Sequence, residues 1–329
     1  MIEALHKRCD LFIENRDSIK AAFRWDSAYI YPLCAWLYTA KEMKVDVDLL
    51  RNCLDLLKQN TSVFSNFRGA SRMATVTMLS FSQNPEQKME RMLNVYSKLK
   101  ELFWHSEYLA VTATIIADFT EPNEYEQMAE RTRTIYNHMK EAHPFLTSVE
   151  DSTFAALLAL SGLDIDHIEQ EMEKCYQSLK QNFHFSNAVQ SLSHVLALGD
   201  SPAEQKCKRT LELYEYLKNN KYKYGTNFEL ATLGVLALLD TDIQTLARDI
   251  MEVDDFLKTQ KGFGAFGIGA RQRLMYAGML IMCDYVPSVH TMQAAALKGV
   301  VSLVIAQQVA ICASVAATNA AAAAASSSS

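Results

Sequence analysis

Residues 154–180, FAALLALSGLDIDHIEQEMEKCYQSLK, hold in one stretch the two kinds of helix that organise this chain. From Phe154 to Ser161 the stretch is apolar nearly all round, and a helix apolar on every side must be covered on every side. From Ile165 onward the pattern changes. Ile165, Ile168, Met172, Cys175, Tyr176 and Leu179 fall on one stripe, while Glu169, Glu171, Glu173 and Lys174 lie away from it. That second helix has one wet face. The reading is an inner apolar helix paired with an outer amphipathic one.

The end of this stretch recurs. Leu57-Lys58, Leu99-Lys100, Met139-Lys140, Leu179-Lys180, Leu217-Lys218 and Leu257-Lys258 each close a helix-like segment, at a period of about forty residues. Tyr96, Tyr136, Tyr176 and Tyr214 stand four residues before the lysine, with Leu54 and Asp254 in that place in the other two units. LAVTATIIA (109–117) and LATLGVLALL (230–239) repeat the apolar helix, and Cys207, Leu211, Tyr214 and Leu217 repeat the amphipathic stripe. Asn84-Pro85-Glu86-Gln87 and Ser201-Pro202-Ala203-Glu204 read as helix starts, with a capping residue and then proline at the first helical position. Pro32 lies inside an apolar stretch, where it marks a first turn or a kink.

These observations predict an all-α chain of tandem helical hairpins of about forty residues, arranged as an α/α superhelix or a partly closed α/α toroid. The expected organisation is an N-terminal helix in 1–24, about six hairpins forming one domain over 25–286, and an apolar C-terminal helix with an Ala/Ser tail in 287–329. Small residues on the inner helices (Ala113, Ala155, Ala159, Gly234, Ala277, Gly278) leave room for close packing. The stretch 291–317, TMQAAALKGVVSLVIAQQVAICASVAA, is expected to pack against the inner wall or an end. Membrane contact through 291–317 is the lesser reading, because Gln307 and Gln308 would need partners in lipid.

Composition excludes several function classes. A formal charge of −6 and the lack of a basic stretch argue against a nucleic-acid partner. Seven scattered cysteines without CxxC spacing indicate neither a zinc site nor a disulfide framework. The first residues, MIEALHKRCDLFIENRD, lack the apolar core of a secretory signal, so a cytoplasmic location is expected. No HExxH, P-loop, nucleophile elbow or EF-hand loop occurs, and no cofactor is expected. Gly262 to Gly267 matches GxGxxG, but a helix rather than a strand precedes it, so it reads as a tight loop needing positive φ.

One set of polar residues is positional. The inner helices open with Asp26, Arg72, His105 and Glu107, Glu150 and Asp151, Asn187, Asn227 and Glu229, and Arg271 and Arg273. In a ring of parallel inner helices these would converge on one rim, beside free helix N–H groups. The candidate ligand-binding residues are therefore Arg72, His105, Glu107, Glu150, Asp151, Glu229, Arg271 and Arg273. The bland alternative is that the asparagines cap helices, the arginines form structural ion pairs and the rest is solvated rim. His194, in the apolar run SLSHVLAL, reads as a hydrogen-bonded core histidine.

HPFLTSVEDSTFAALLALS (143–161), NAVQSLSHVLALGD (187–200), KGFGAFGIGARQRLMYAGML (261–280) and the tail from AQQVAICASVAA (306–317) resemble an uncharacterised bacterial family, mainly Gram-positive, of unknown function. The resemblance implies a cytosolic helical protein and brings no activity or catalytic residue. Two functions of different class fit the residues. The first is a non-catalytic binding or scaffolding protein with a protein or peptide partner. The second is an enzyme on an α/α ring, its carboxylates and arginines holding a small anionic or sugar-like substrate at the rim.

Overall fold

The computed structural model describes residues 3–24, 28–264 and 267–285. Asp26, Phe266 and the predicted C-terminal helix and tail lie outside the described residues. Among the described residues are fourteen α-helices and no strand. The helices of odd number are α1 (Glu3–Ala22), α3 (Val47–Asn60), α5 (Pro85–Leu102), α7 (Tyr125–Ala142), α9 (Ile165–Leu179), α11 (Ala203–Asn219) and α13 (Ile243–Thr259). Those of even number are α2 (Ile30–Thr39), α4 (Arg72–Ser80), α6 (Glu107–Phe119), α8 (Asp151–Leu160), α10 (Ser186–Leu196), α12 (Glu229–Ala237) and α14 (Gly269–Tyr285).

Burial separates the two sets as periodicity predicts. Every residue of α2 is buried, as are Met73 through Ser80 of α4, whereas α3 buries Leu50, Cys53 and Leu57 on a single stripe. Leu157 and Leu233, the centres of two apolar runs, are buried. Each odd helix packs on the even helix that follows it, and each even helix packs on the next even one. The last helix also returns to the first two, since α14 packs on α1 and α2 as well as on α12 and α13. Trp36 donates its Nε1–H to the carbonyl of Met279 at 3.0 Å, and the Phe12 ring lies 5.9 Å from that of Tyr276. Arg8 pairs with Asp284 across the same seam.

Side chains close several of the helix ends. Asp46, Asn84, Ser106, Asp164 and Asp242 accept from amides in the first turn of the odd or even helix they precede, satisfying donors that the helix cannot. Pro85 stands at the first position of α5, but Pro202 precedes α11 and Ser201 makes no cap, so only one of the two predicted starts has the expected form. Pro32 sits in the first turn of α2. The C-terminal carbonyls of α6, α8 and α12 and their following loops are taken up by arginines from the odd helices. Arg91 donates to Thr120, Arg131 to Ala159, and Arg209 to Ala237, Leu239 and Thr241. These guanidiniums place positive charge where the helix dipole is negative.

Six cysteines among the described residues are free thiols. No described helix is long and apolar enough to cross a membrane.

Candidate functional site

The loops running from an odd helix to the even helix after it carry aromatic residues in pairs, one ring turned in and one turned out. The inward ring packs on the next odd helix. Phe67 meets Tyr96 at 5.0 Å between centroids, Phe103 meets Tyr136 at 5.3 Å, and Phe183 meets Tyr214 at 5.1 Å, all edge-on. His143 takes the same place against Tyr176 at 4.3 Å. The recurrent tyrosine is therefore the socket for the preceding loop, and each contact adds about 0.5–1.5 kcal/mol to simple burial. These contacts, with the Glu107 carboxylate accepting from the Ala70 amide at 2.7 Å, set consecutive loops side by side at one end of the helices.

The outward ring has no such socket. Phe64 is 97% exposed, Trp104 86%, Phe145 99% and Phe185 52%, on four consecutive loops. Val63 and Val149 are exposed beside Phe64 and Phe145. Scattered apolar side chains are ordinary on a surface, but one exposed ring on each of four consecutive loops is a pattern the core does not require.

The eight predicted site residues separate into distinct environments. Glu107, first in α6, latches the preceding loop, and a Cβ on Gly69 would sit 2.1 Å from its carboxylate carbon. Arg72 opens α4 beside that latch, and His105 is exposed next to Trp104. Glu150 accepts from the Tyr108 hydroxyl, whose proton is held more tightly by burial and by that carboxylate. Glu229, first in α12, is buried against Gly225 and accepts from the Asn227 amide at 3.3 Å. Burial raises its pKa, and the nearby Arg271 opposes the rise. Arg273 is turned into the packing of α14 on α13. Its Nε and Nη2 each lie 2.9 Å from the Asp254 carboxylate, and Nη1 donates to the Phe263 carbonyl, a buried structural clamp. Asn187 and Asn227 do not cap their helices: Phe185 and Phe228 hold the cap positions and make no side-chain bond.

Asp151, like Arg273, faces a buried titratable group across a helix interface. Its Oδ2 accepts from the Ser148 amide at 2.8 Å, and its Oδ1 lies 3.7 Å from His194 Nδ1, too far for a hydrogen bond. Burial pushes the Asp151 carboxyl up to about 7, against the pull of the Ser148 amide. Burial, with His143 adding to it, pushes His194 down to about 3. One turn away, Gln190 donates to Thr147 Oγ1 at 2.7 Å, and Thr147 donates to the Met139 carbonyl. His194 is thus buried as expected but is not hydrogen-bonded through Nδ1 among the described residues, because the facing carboxylate is held by its own loop. The buried Tyr224 hydroxyl, near Glu229, also lacks a hydrogen-bond partner among the described residues. No described cluster of three or more His, Cys, Asp or Glu is arranged to hold a metal ion.

The glycine segment forms the tight turn its sequence suggests. Gly262 has φ +91, the Ile268 amide donates to its carbonyl, and Phe263 is fully buried.

The family described as "Protein of unknown function (DUF4003)" matches residues 15–309, nearly all of the helical region described above. The chain belongs to this family. The uncharacterised protein YeaA of Bacillus subtilis (strain 168) is 24% identical to it over 269 residues, covering 79% of this chain and 80% of that protein. No solved structure matches. Neither the family description nor that relative's name carries an activity.

Proposed function

We propose that the fourteen helices form seven consecutive hairpins closed into a single-domain α/α toroid, and that the end bearing the paired aromatics is a non-catalytic binding face. The order of packing supports the ring, since even helices contact one another in sequence and α14 returns to α1 and α2. In this arrangement the N-terminal helix α1 is the outer member of the first hairpin. A cytoplasmic location is supported by the free thiols, five of the six being buried.

The observation that carries the binding reading is the outward ring on each of four consecutive loops: Phe64, Trp104, Phe145 and Phe185. Aromatic side chains are the commonest anchors of association surfaces, and here the fold has no other use for them. The test is the variant with all four changed to serine, compared with the native chain by cross-linking in the native host. Loss of a defined adduct, with thermal stability unchanged, is the expected result. An unchanged adduct pattern rejects the face.

A second reading, an enzyme acting on a small anionic or sugar-like substrate, is favoured by one observation, the Asp151–His194 pair. A carboxyl carried up to about 7 has the protonation behaviour of a general acid near neutrality. A thermal-shift screen against anion and sugar libraries tests it, with stabilisation abolished by Asp151→Asn or Arg271→Ala as the supporting result.

A further inference from the structure

We propose that the aromatic-bearing end docks on the surface of an anionic lipid bilayer; the inference rests on the binding-face reading and names its partner. The four outward rings sit on separate loops, each nearly or more than half exposed, and each loop spends its other ring on the neighbouring helix. Anchors in protein interfaces cluster in well-packed, desolvated patches, whereas a bilayer interface takes each ring individually wherever it protrudes. Trp104 is suited to that layer, with an apolar body and a polar indole N–H.

Charge points the same way. At the roots of these loops stand Lys58, Lys100, Lys140 and Lys180, and the two loops that follow add Lys221, Lys223 and Lys261 with Arg271 beyond them, all exposed; Asp55, Glu101 and Glu141 are exposed among them. The connections at the opposite end carry Glu42, Asp46, Glu121, Glu124, Asp164, Asp166, Asp200 and Asp242 against Lys41 and Lys44. In a chain of net charge −6, the end with the exposed rings thus carries an excess of cations and the other end an excess of acids. Lysines in the last turn of a helix also complement the dipole, which accounts for some of these cations, but it accounts for none of the rings. A negative lipid surface would orient the molecule with this end towards it, through an attraction that falls away as salt is added.

The experiment is flotation of the full chain with phosphatidylcholine vesicles, alone or containing about a third phosphatidylglycerol, a composition chosen to make the surface negative. The expected result is binding to the anionic vesicles only, weakened by salt, with a blue shift of Trp104 fluorescence that Trp104→Phe removes. The variant Phe64→Ser/Trp104→Ser/Phe145→Ser/Phe185→Ser should bind about tenfold or more weakly, because it loses the inserted apolar area while keeping every charge. These side chains are exposed, so circular dichroism and the melting temperature should match the native chain. Four results overturn the inference: no binding to either vesicle; equal binding to both; binding that survives the four-ring variant, as it would through the apolar segment 291–317; or binding that inorganic phosphate abolishes where chloride at the same ionic strength does not, which marks a free-anion site. If vesicles fail while the same variant loses its cross-linked partner, the binding face stands and the lipid assignment falls. If the variant alters neither, both fall.

Discussion

Removing either member of the Asp151–His194 pair should give stability a pH dependence of opposite sign. Asp151 is raised from 3.8 to about 7 in the folded chain, so its contribution is full below 3.8 and is lost as pH rises through about 7. His194 is lowered from 6.5 to about 3, so its contribution is full above 6.5 and is lost as pH falls towards about 3. Between about pH 4 and 6.5 the folded pair holds one proton on the carboxyl, and the unfolded chain holds one on the imidazole. The two slopes therefore cancel in the native chain. Asp151→Asn removes one slope and leaves the other, about 1.4 kcal/mol per pH unit. Relative to the native chain it should lose about 3 kcal/mol on going from pH 6.5 to about 4.5. His194→Asn should gain about 3 kcal/mol over the same interval, because the carboxyl that remains prefers its proton. Urea unfolding of the three chains across this range reads the slopes directly, and every other titrating group drops out of the differences. Slopes of equal sign, or two variants that run parallel to the native chain, would refute the buried neutral pair.

Gly69→Ala should cost about 1–3 kcal/mol in urea unfolding, since the new Cβ displaces the Glu107 carboxylate from the Ala70 amide; Gly69 has φ −78, so the effect is the clash and not backbone strain. Arg273→Met should cost about 3–5 kcal/mol by leaving Asp254 buried and unpaired, and adding Asp254→Leu should recover a large part of it; a double variant no better than the single removes the ion pair as the cause. Trp36→Ala should cost about 3–5 kcal/mol, with hydrogen-exchange protection lost together in α1, α2 and α14; loosening confined to α2 speaks against closure of the ring.

The helices and their two roles were legible because they follow from local periodicity. A stripe such as Leu50, Cys53 and Leu57 has one place to go, and an all-apolar run such as that around Leu157 has no wet face to offer. The tyrosine period was visible too, but its meaning was not. Tyr136 meets Phe103 and Tyr214 meets Phe183 across an intervening helix, and nothing in the spacing says which residue fills the socket. Asp254 shows the same limit from the other side. Its departure from the tyrosine pattern is plain in the sequence, while its reason, the guanidinium of Arg273, lies in the following helix.

Geometry separates the residues of the predicted rim. Residues two apart on a helix point to nearly opposite sides, so Arg271 and Arg273 could not both face one ligand. Arg273 goes to the outer helix and Arg271 stays exposed near Glu229. Opening a helix with a carboxylate is also no sign of a ligand, because Glu107 and Glu229 spend theirs on loop amides beside glycines that leave the space. Sequence offers no way to tell Phe64 or Phe145 from Phe67, since exposure is decided by the neighbouring hairpin. What the pattern does offer is a criterion for sorting them: in each of these loops one ring already has its tyrosine, or its place against one, and the ring left over is the one that needs a partner from outside the chain.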